Sequence, residues 1–181
     1  MKIKKILFFA LATITLWSCS SDEDSNVLPD NFDNGAIISI ANLTSNVIFD
    51  DNLEGGIDVN LEYRDSENGA LLDKLDVYVS YFDRSENVGD SSNAIFGELL
   101  LRTVEETDFS NGENEFPVHN LVITTQDFLD LTNNTLDGIA PSDEFLTRFE
   151  LTLTDGRVFS TNNTGNNGGL ISNFNMLTRV E

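Results

Sequence analysis

Ile57-Asp58-Val59-Asn60-Leu61-Glu62-Tyr63 alternates apolar and polar residues without a break. Successive side chains of a β-strand point to opposite faces, so this order puts Ile57, Val59, Leu61 and Tyr63 on one side and the polar residues on the other. That is the pattern of a half-buried strand. Leu75-Asp76-Val77-Tyr78-Val79-Ser80-Tyr81 repeats it. Between them Asp65-Ser66-Glu67-Asn68-Gly69 reads as a turn, in which Asn68-Gly69 supplies residues that tolerate positive φ.

The same reading extends in both directions. Ala36-Ile37-Ile38-Ser39-Ile40 and Asn46-Val47-Ile48-Phe49 are short apolar runs upstream. Ile95 to Val104 and Phe116 to Ile123 are further strands, separated by a loop around Asn111-Gly112. Phe149 to Leu153 and Val158 to Ser160 flank Asp155-Gly156, a strong hairpin signal. Asn162 to Gly169 is a loop, and Leu170 to Val180 closes the series as a last strand. One short helix is predicted, with Thr125 as the cap of Gln126 to Leu131 and Asp127 favoured in its first turn by the helix dipole. About seven or eight short strands with regular turns specify an all-β domain, a sandwich or a barrel. No longer repeat marks a solenoid.

Before this domain stands a different kind of segment. Met1-Lys2-Ile3-Lys4-Lys5 is basic, and Ile6 to Leu16 runs apolar for about 11 residues, the length of a secretory signal and well short of the ~20 needed to span a bilayer. Leu16-Trp17-Ser18-Cys19 resembles the lipobox of bacterial lipoproteins, with Trp17 departing from the small residue favoured at its position. The resemblance implies cleavage after Ser18 and lipid attachment at Cys19. Each buried methylene contributes about 0.8 kcal/mol, so two or three acyl chains hold where one would not. Signal peptide 1–18, acidic flexible tether 19–34 and domain 35–181 are therefore expected. Ser20-Ser21-Asp22-Glu23-Asp24 lacks an Asp directly after the Cys and resembles the acidic export signal of outward-facing lipoproteins, which favours the cell exterior over the periplasmic face of the outer membrane.

Composition excludes several functions. The formal charge of −21 becomes −24 once Lys2, Lys4 and Lys5 leave with the signal, and Lys74 is then the sole lysine. So acidic a chain repels phosphate backbones and anionic head groups, so no nucleic acid is expected as a partner. Cys19 is the only cysteine, which leaves no thiol for a disulfide or a thiolate site. His119 is the only histidine; it lies in Phe116-Pro117-Val118-His119-Asn120-Leu121-Val122-Ile123 and is expected as a half-exposed strand residue rather than a catalytic base.

Thr125-Gln126-Asp127-Phe128-Leu129, Asp143-Glu144-Phe145 and Phe149 to Ser160 with its Leu153-Thr154-Asp155-Gly156-Arg157 core are together similar to an uncharacterised family of surface lipoproteins that accompany outer-membrane glycan-import systems of the starch-utilisation type. The resemblance implies an immunoglobulin-like β-sandwich and an accessory role, with no catalytic residues to carry over.

Three candidate sites follow from the residues themselves. From Asn133, positions 1, 3, 5, 6 and 12 of a calcium loop read Asn133, Thr135, Asp137, Gly138 and Glu144. Asn133 and Thr135 are neutral where carboxylates are wanted, and a strand stands where a second helix is required, so a plain loop without metal is preferred. Tyr78 and Phe82, about 13 Å apart on one strand face, would stack a saccharide or pack under neighbouring structure, and packing is preferred. Two carboxylates suffice for glycoside hydrolysis, yet no motif marks a pair, and Gly55-Gly56 and Gly168-Gly169 lack the context of a phosphate cradle. The expected function is a non-catalytic, membrane-anchored accessory or interaction module without a cofactor. Its partners would be membrane lipid through Cys19 and an outer-membrane transporter or surface glycan; a glycan-binding lectin is the alternative, and a small glycan-active enzyme the third reading.

Overall fold

The computed structural model describes residues 35–84, 94–161 and 174–181, with side chains omitted for 94–96. The signal segment with Trp17, Cys19, the tether and the 162–169 loop with Gly168 lie outside the described residues. The elements in order are β1 (Ala36–Ile48), β2 (Gly55–Asp65), β3 (Leu72–Asp83), β4 (Ala94–Glu105), β5 (Ser110–Asn111), β6 (Pro117–Thr124), α1 (Thr125–Thr132), β7 (Glu144–Leu153), β8 (Val158–Ser160) and β9 (Asn175–Val180).

Their pairing follows one path, β4-β3-β7-β9-β1-β2-β6-β5, with β8 attached to β7. The sheet curls on itself, because the inward residues of both halves meet in one core. Ile57, Val59, Leu61 and Tyr63 of β2, Leu121 and Ile123 of β6, Leu75, Val77, Val79 and Tyr81 of β3, and Phe145 and Phe149 of β7 are all 2 % exposed or less and form one cluster. The order β1-β2-β6-β5 in one layer and β9-β7-β3 in the other is that of the two sheets of an immunoglobulin-like sandwich, with β4 extending the second. The expected all-β sandwich with one short helix is the observed fold.

β1 joins the layers. It pairs antiparallel with β2 along its length, and its last two residues, Val47 and Ile48, pair parallel with Arg179 and Val180 of β9. The Asn46 side chain extends this seam, donating to the Leu177 carbonyl at 2.9 Å and accepting from Thr178 Oγ1. Sequence reading divided this strand into two runs. The intervening residues Ala41 to Thr44 are exposed and carry the register shifts at which β1 bulges, so they lack the alternation that marks a strand. At the start of β2, Gly56 has φ +116 and lies so close to β6 that a Cβ would stand 2.1 Å from the Ile123 carbonyl oxygen, a strand-packing role for that glycine.

The helix starts one residue earlier than the sequence indicates. Thr124, not Thr125, is the cap: its hydroxyl accepts from the Asp127 amide at 3.1 Å, and the Asp127 carboxylate accepts the Thr124 amide at 2.8 Å. Thr125 is buried within the first turn, and its hydroxyl donates instead to the Glu54 carbonyl at 3.1 Å. That switch brings Phe128 over the core, 4.9 Å from the Phe145 ring.

One polar atom interrupts this core. Thr147 of β7 is fully buried on the inward face, and among the described residues its hydroxyl is the buried side-chain polar atom without a hydrogen-bond partner. A buried unsatisfied hydroxyl costs about 1–3 kcal/mol, and valine has nearly the same shape. Thr147→Val is therefore expected to raise the thermal midpoint by about 3 °C; a lowered midpoint in a thermal melt would contradict this packing.

Candidate interaction face

The outward side of the layer β4-β3-β7-β9 carries a connected set of side-chain interactions. On β3, Lys74, Asp76, Tyr78, Ser80 and Phe82 point away from the core; Glu144, Leu146, Arg148 and Glu150 of β7 and Asn175, Leu177 and Arg179 of β9 share that side. Strand register sets them in rows. Leu100, Tyr78, Arg148 and Asn175 stand opposite one another; Ser80, Leu146 and Leu177 form the next row; Phe82, Glu144 and Arg179 form the third.

Arg148 dominates the first row. Its guanidinium donates to both oxygens of Glu98, through Nη2 at 2.8 Å, and to Glu150 at 3.0 Å, while lying 4.5 Å above the centre of the Tyr78 ring. The hydrogen bonds to Glu98 hold it firmly protonated against the opposing effect of burial. Tyr78 is pushed up by burial and by the nearby Glu150 charge. In the third row Glu144 is shared between Arg84, at 2.7 Å, and Arg179, at 3.3 Å. At the far end Lys74 and Asp76 pair at 2.6 Å. Apolar side chains lie between and beside these charges: Leu177, 42 % exposed, and half-buried Leu146 in the middle row, with Leu100, 49 % exposed, and half-buried Tyr78 and Phe82 in the flanking rows.

This arrangement decides the candidate residues. Tyr78 and Phe82 do share the outward face, yet guanidinium groups lie over both rings, Arg148 over Tyr78 and Arg84 over Phe82 at 5.4 Å. Packing, not an open stacking platform, is what the two aromatics do. The calcium-loop residues are scattered among other roles. Asn133 is the left-handed cap of α1, Thr135 opens a 3₁₀ turn containing Asp137 and Gly138, and Glu144 is held by two arginines in a strand. Among the described residues no group of three His, Cys, Asp or Glu side chains gathers to hold a metal. His119 is half-buried on β6, its Nδ1 at 3.0 Å from the Asp108 carbonyl and its ring beside Phe109. The other layer has a different outward face, a polar row in which Asn42, Asn60 and Asn120 stand in register across β1, β2 and β6.

Two buried carboxylates tie the loops to this scaffold. Asp65 accepts the Tyr63 hydroxyl at 2.6 Å and the amides of Glu67, Gly69 and Leu71 at 2.7, 2.8 and 2.9 Å, which fixes the turn between β2 and β3. Asp143 accepts the Tyr81 hydroxyl at 2.6 Å and the amides of Arg84 and Ala140 at 2.7 and 2.9 Å. Sequence reading places Asp65 in a turn and Asp143 in the segment of family resemblance but gives neither this tying role, since each depends on a tyrosine, two residues or sixty-two residues away. Alternation that places a tyrosine inward at a strand end was the available signal.

No protein-family model matches the chain, and no curated protein matches it.

Burial of Asp65 opposes its ionisation, but the bonds from the Tyr63 hydroxyl and the three amides outweigh burial and hold its pKa below the usual carboxylate value. A lowered folded-state pKa contributes stability that is complete above the unfolded value, about 3.9, and is lost as pH falls through the folded one. Denaturant titrations at a series of pH values are expected to show that loss below about pH 4. Asp65→Asn should be less stable at neutral pH and lose less on acidification; an unchanged acid slope would contradict the assignment.

Proposed function

We propose that the protein is a non-catalytic surface lipoprotein, held on the outer membrane through lipid on Cys19 and facing the cell exterior, where its sandwich serves as an accessory or interaction module. The observation that carries this reading is the outward face of β4-β3-β7-β9. An apolar centre of Leu100, Tyr78, Leu146 and Leu177, bordered by ion pairs that involve three arginines, has the anatomy of a protein interface. A binding face for another protein is what an accessory module beside a glycan-import transporter would need. The carboxylates best placed for chemistry, Asp65, Asp143, Glu144 and Glu150, are engaged by tyrosines, amides and arginines, which favours a structural role for them over an acid–base pair. The glycan-binding alternative rests on Tyr78, whose ring is covered by Arg148.

The anchor and the orientation are tested together on cells. The chain is expected in the membrane fraction and degraded by protease added to intact cells, whereas Cys19→Ala is expected in the soluble fraction. Continued membrane association of Cys19→Ala would overturn the anchor, and full protection of the parent chain would overturn the outward orientation.

A further inference from the structure

The charges of this face are distributed in a way that identifies its occupant. The domain has seven cationic side chains, Arg64, Lys74, Arg84, Arg102, Arg148, Arg157 and Arg179, against a large excess of carboxylates. Four of the seven, Lys74, Arg84, Arg148 and Arg179, lie on this one face, paired with Asp76, Glu98, Glu144 and Glu150. With Glu105, which stands opposite Lys74, the face carries four cations against five carboxylates and is close to neutral on a strongly acidic molecule. It is therefore the surface on which a second, equally acidic chain can approach with little net repulsion.

The face is also polarised. On one side of the apolar row Ser80–Leu146–Leu177 sits Arg148, paired with Glu150 and with Glu98, which reaches it from the β4 end of that row, a cluster of net negative charge. On the other side sits Glu144 with two arginines, Arg84 and Arg179, a cluster of net positive charge. When two identical faces meet about a twofold axis lying along that row, each side of one copy covers the opposite side of the other. Arg148 and its carboxylates then stand over the partner's Glu144 and its arginines, twice by symmetry. Tyr78 lies over the partner's Phe82, and Leu146 and Leu177 meet their own counterparts on the axis.

From this match, and resting on the interaction-module reading above, we infer that the face binds a second copy of this chain, giving a twofold pair packed sheet against sheet. Lipid anchoring would favour the contact by confining both copies to one membrane plane.

The single cysteine makes the test direct. Ser80→Cys is introduced into the full chain, in its membrane, and treated with a short bifunctional maleimide matched to the roughly 10 Å between face-packed sheets. Ser80 is half-buried, small and on the axis, so the substitution is conservative, and the parent chain reports any reaction at Cys19. The expected result is a product of twice the chain mass from Ser80→Cys and none from Asn120→Cys on the opposite layer. Adding Leu177→Glu to Ser80→Cys should reduce that product to background with the thermal midpoint unchanged. If Leu177→Glu lowers the midpoint, Glu144→Arg replaces it, and adding Arg148→Glu should restore the product. Equal products from Ser80→Cys and Asn120→Cys would overturn the twofold pair. A product of another mass would overturn self-pairing while leaving the interaction face standing, and no product from Ser80→Cys would overturn the twofold pair.

Discussion

Antiparallel pairing holds β7 between β3 and β9, and that register sets the core and the outward face at the same time. Phe145, Phe149, Leu151 and Leu153 point inward and are buried; Glu144, Leu146, Arg148 and Glu150 point outward. Because the side-chain period of a strand is two, a slip of one residue would drive an arginine and two glutamates into the core and put phenylalanines in water. The mispaired states are thus strongly disfavoured. The same register delivers Arg148 to Tyr78 and Glu144 to Arg179, so the interactions of the face come with the packing of the core.

Closure of the sandwich rests on short polar ties around this strand. The parallel seam between β1 and β9 is only two residues long, and it is reinforced by Asn46 and by Glu181, whose amide donates to the Ile48 carbonyl at 2.9 Å and whose carbonyl accepts the Asp50 amide at 3.1 Å. Asp143, just before β7, gathers the end of β3 through Tyr81 and accepts the Val180 amide on its own carbonyl at 2.9 Å. Loss of one such tie leaves buried donors unpaired, which is costlier than the mean worth of a hydrogen bond.

Much of this was legible in the sequence where local pattern suffices. Ile57 to Tyr63 and Leu75 to Tyr81 alternate, and both lie in the middle of observed strands; Asp155-Gly156 does turn β7 into β8, with Gly156 at φ +83. What escaped depends on contacts distant along the chain. β1 was divided because its bulged centre faces water, and the helix cap was displaced because Thr125 is drawn to Glu54, 71 positions away. Glu144 fits the last position of a calcium loop by spacing alone, but Arg84 and Arg179 reach it from other elements. The ion-paired face was likewise hidden: its members come from four strands, and only the pairing order brings them together.

The proposed work of the molecule follows from how charge is placed on it. The acidic surface repels anionic neighbours, and one nearly neutral, partly apolar face is left where contact is favourable. If two copies pair as proposed, this face is covered on the cell. Hydroxyl-radical footprinting of the chain on intact cells, compared with the same chain diluted in detergent, tests it most directly. Tyr78, Leu100 and Leu177 should be protected on cells and oxidised after dilution, while Leu43 and Val122 on the other layer should be oxidised alike in both. Equal oxidation of Tyr78 and Leu177 in the two states would contradict the claim.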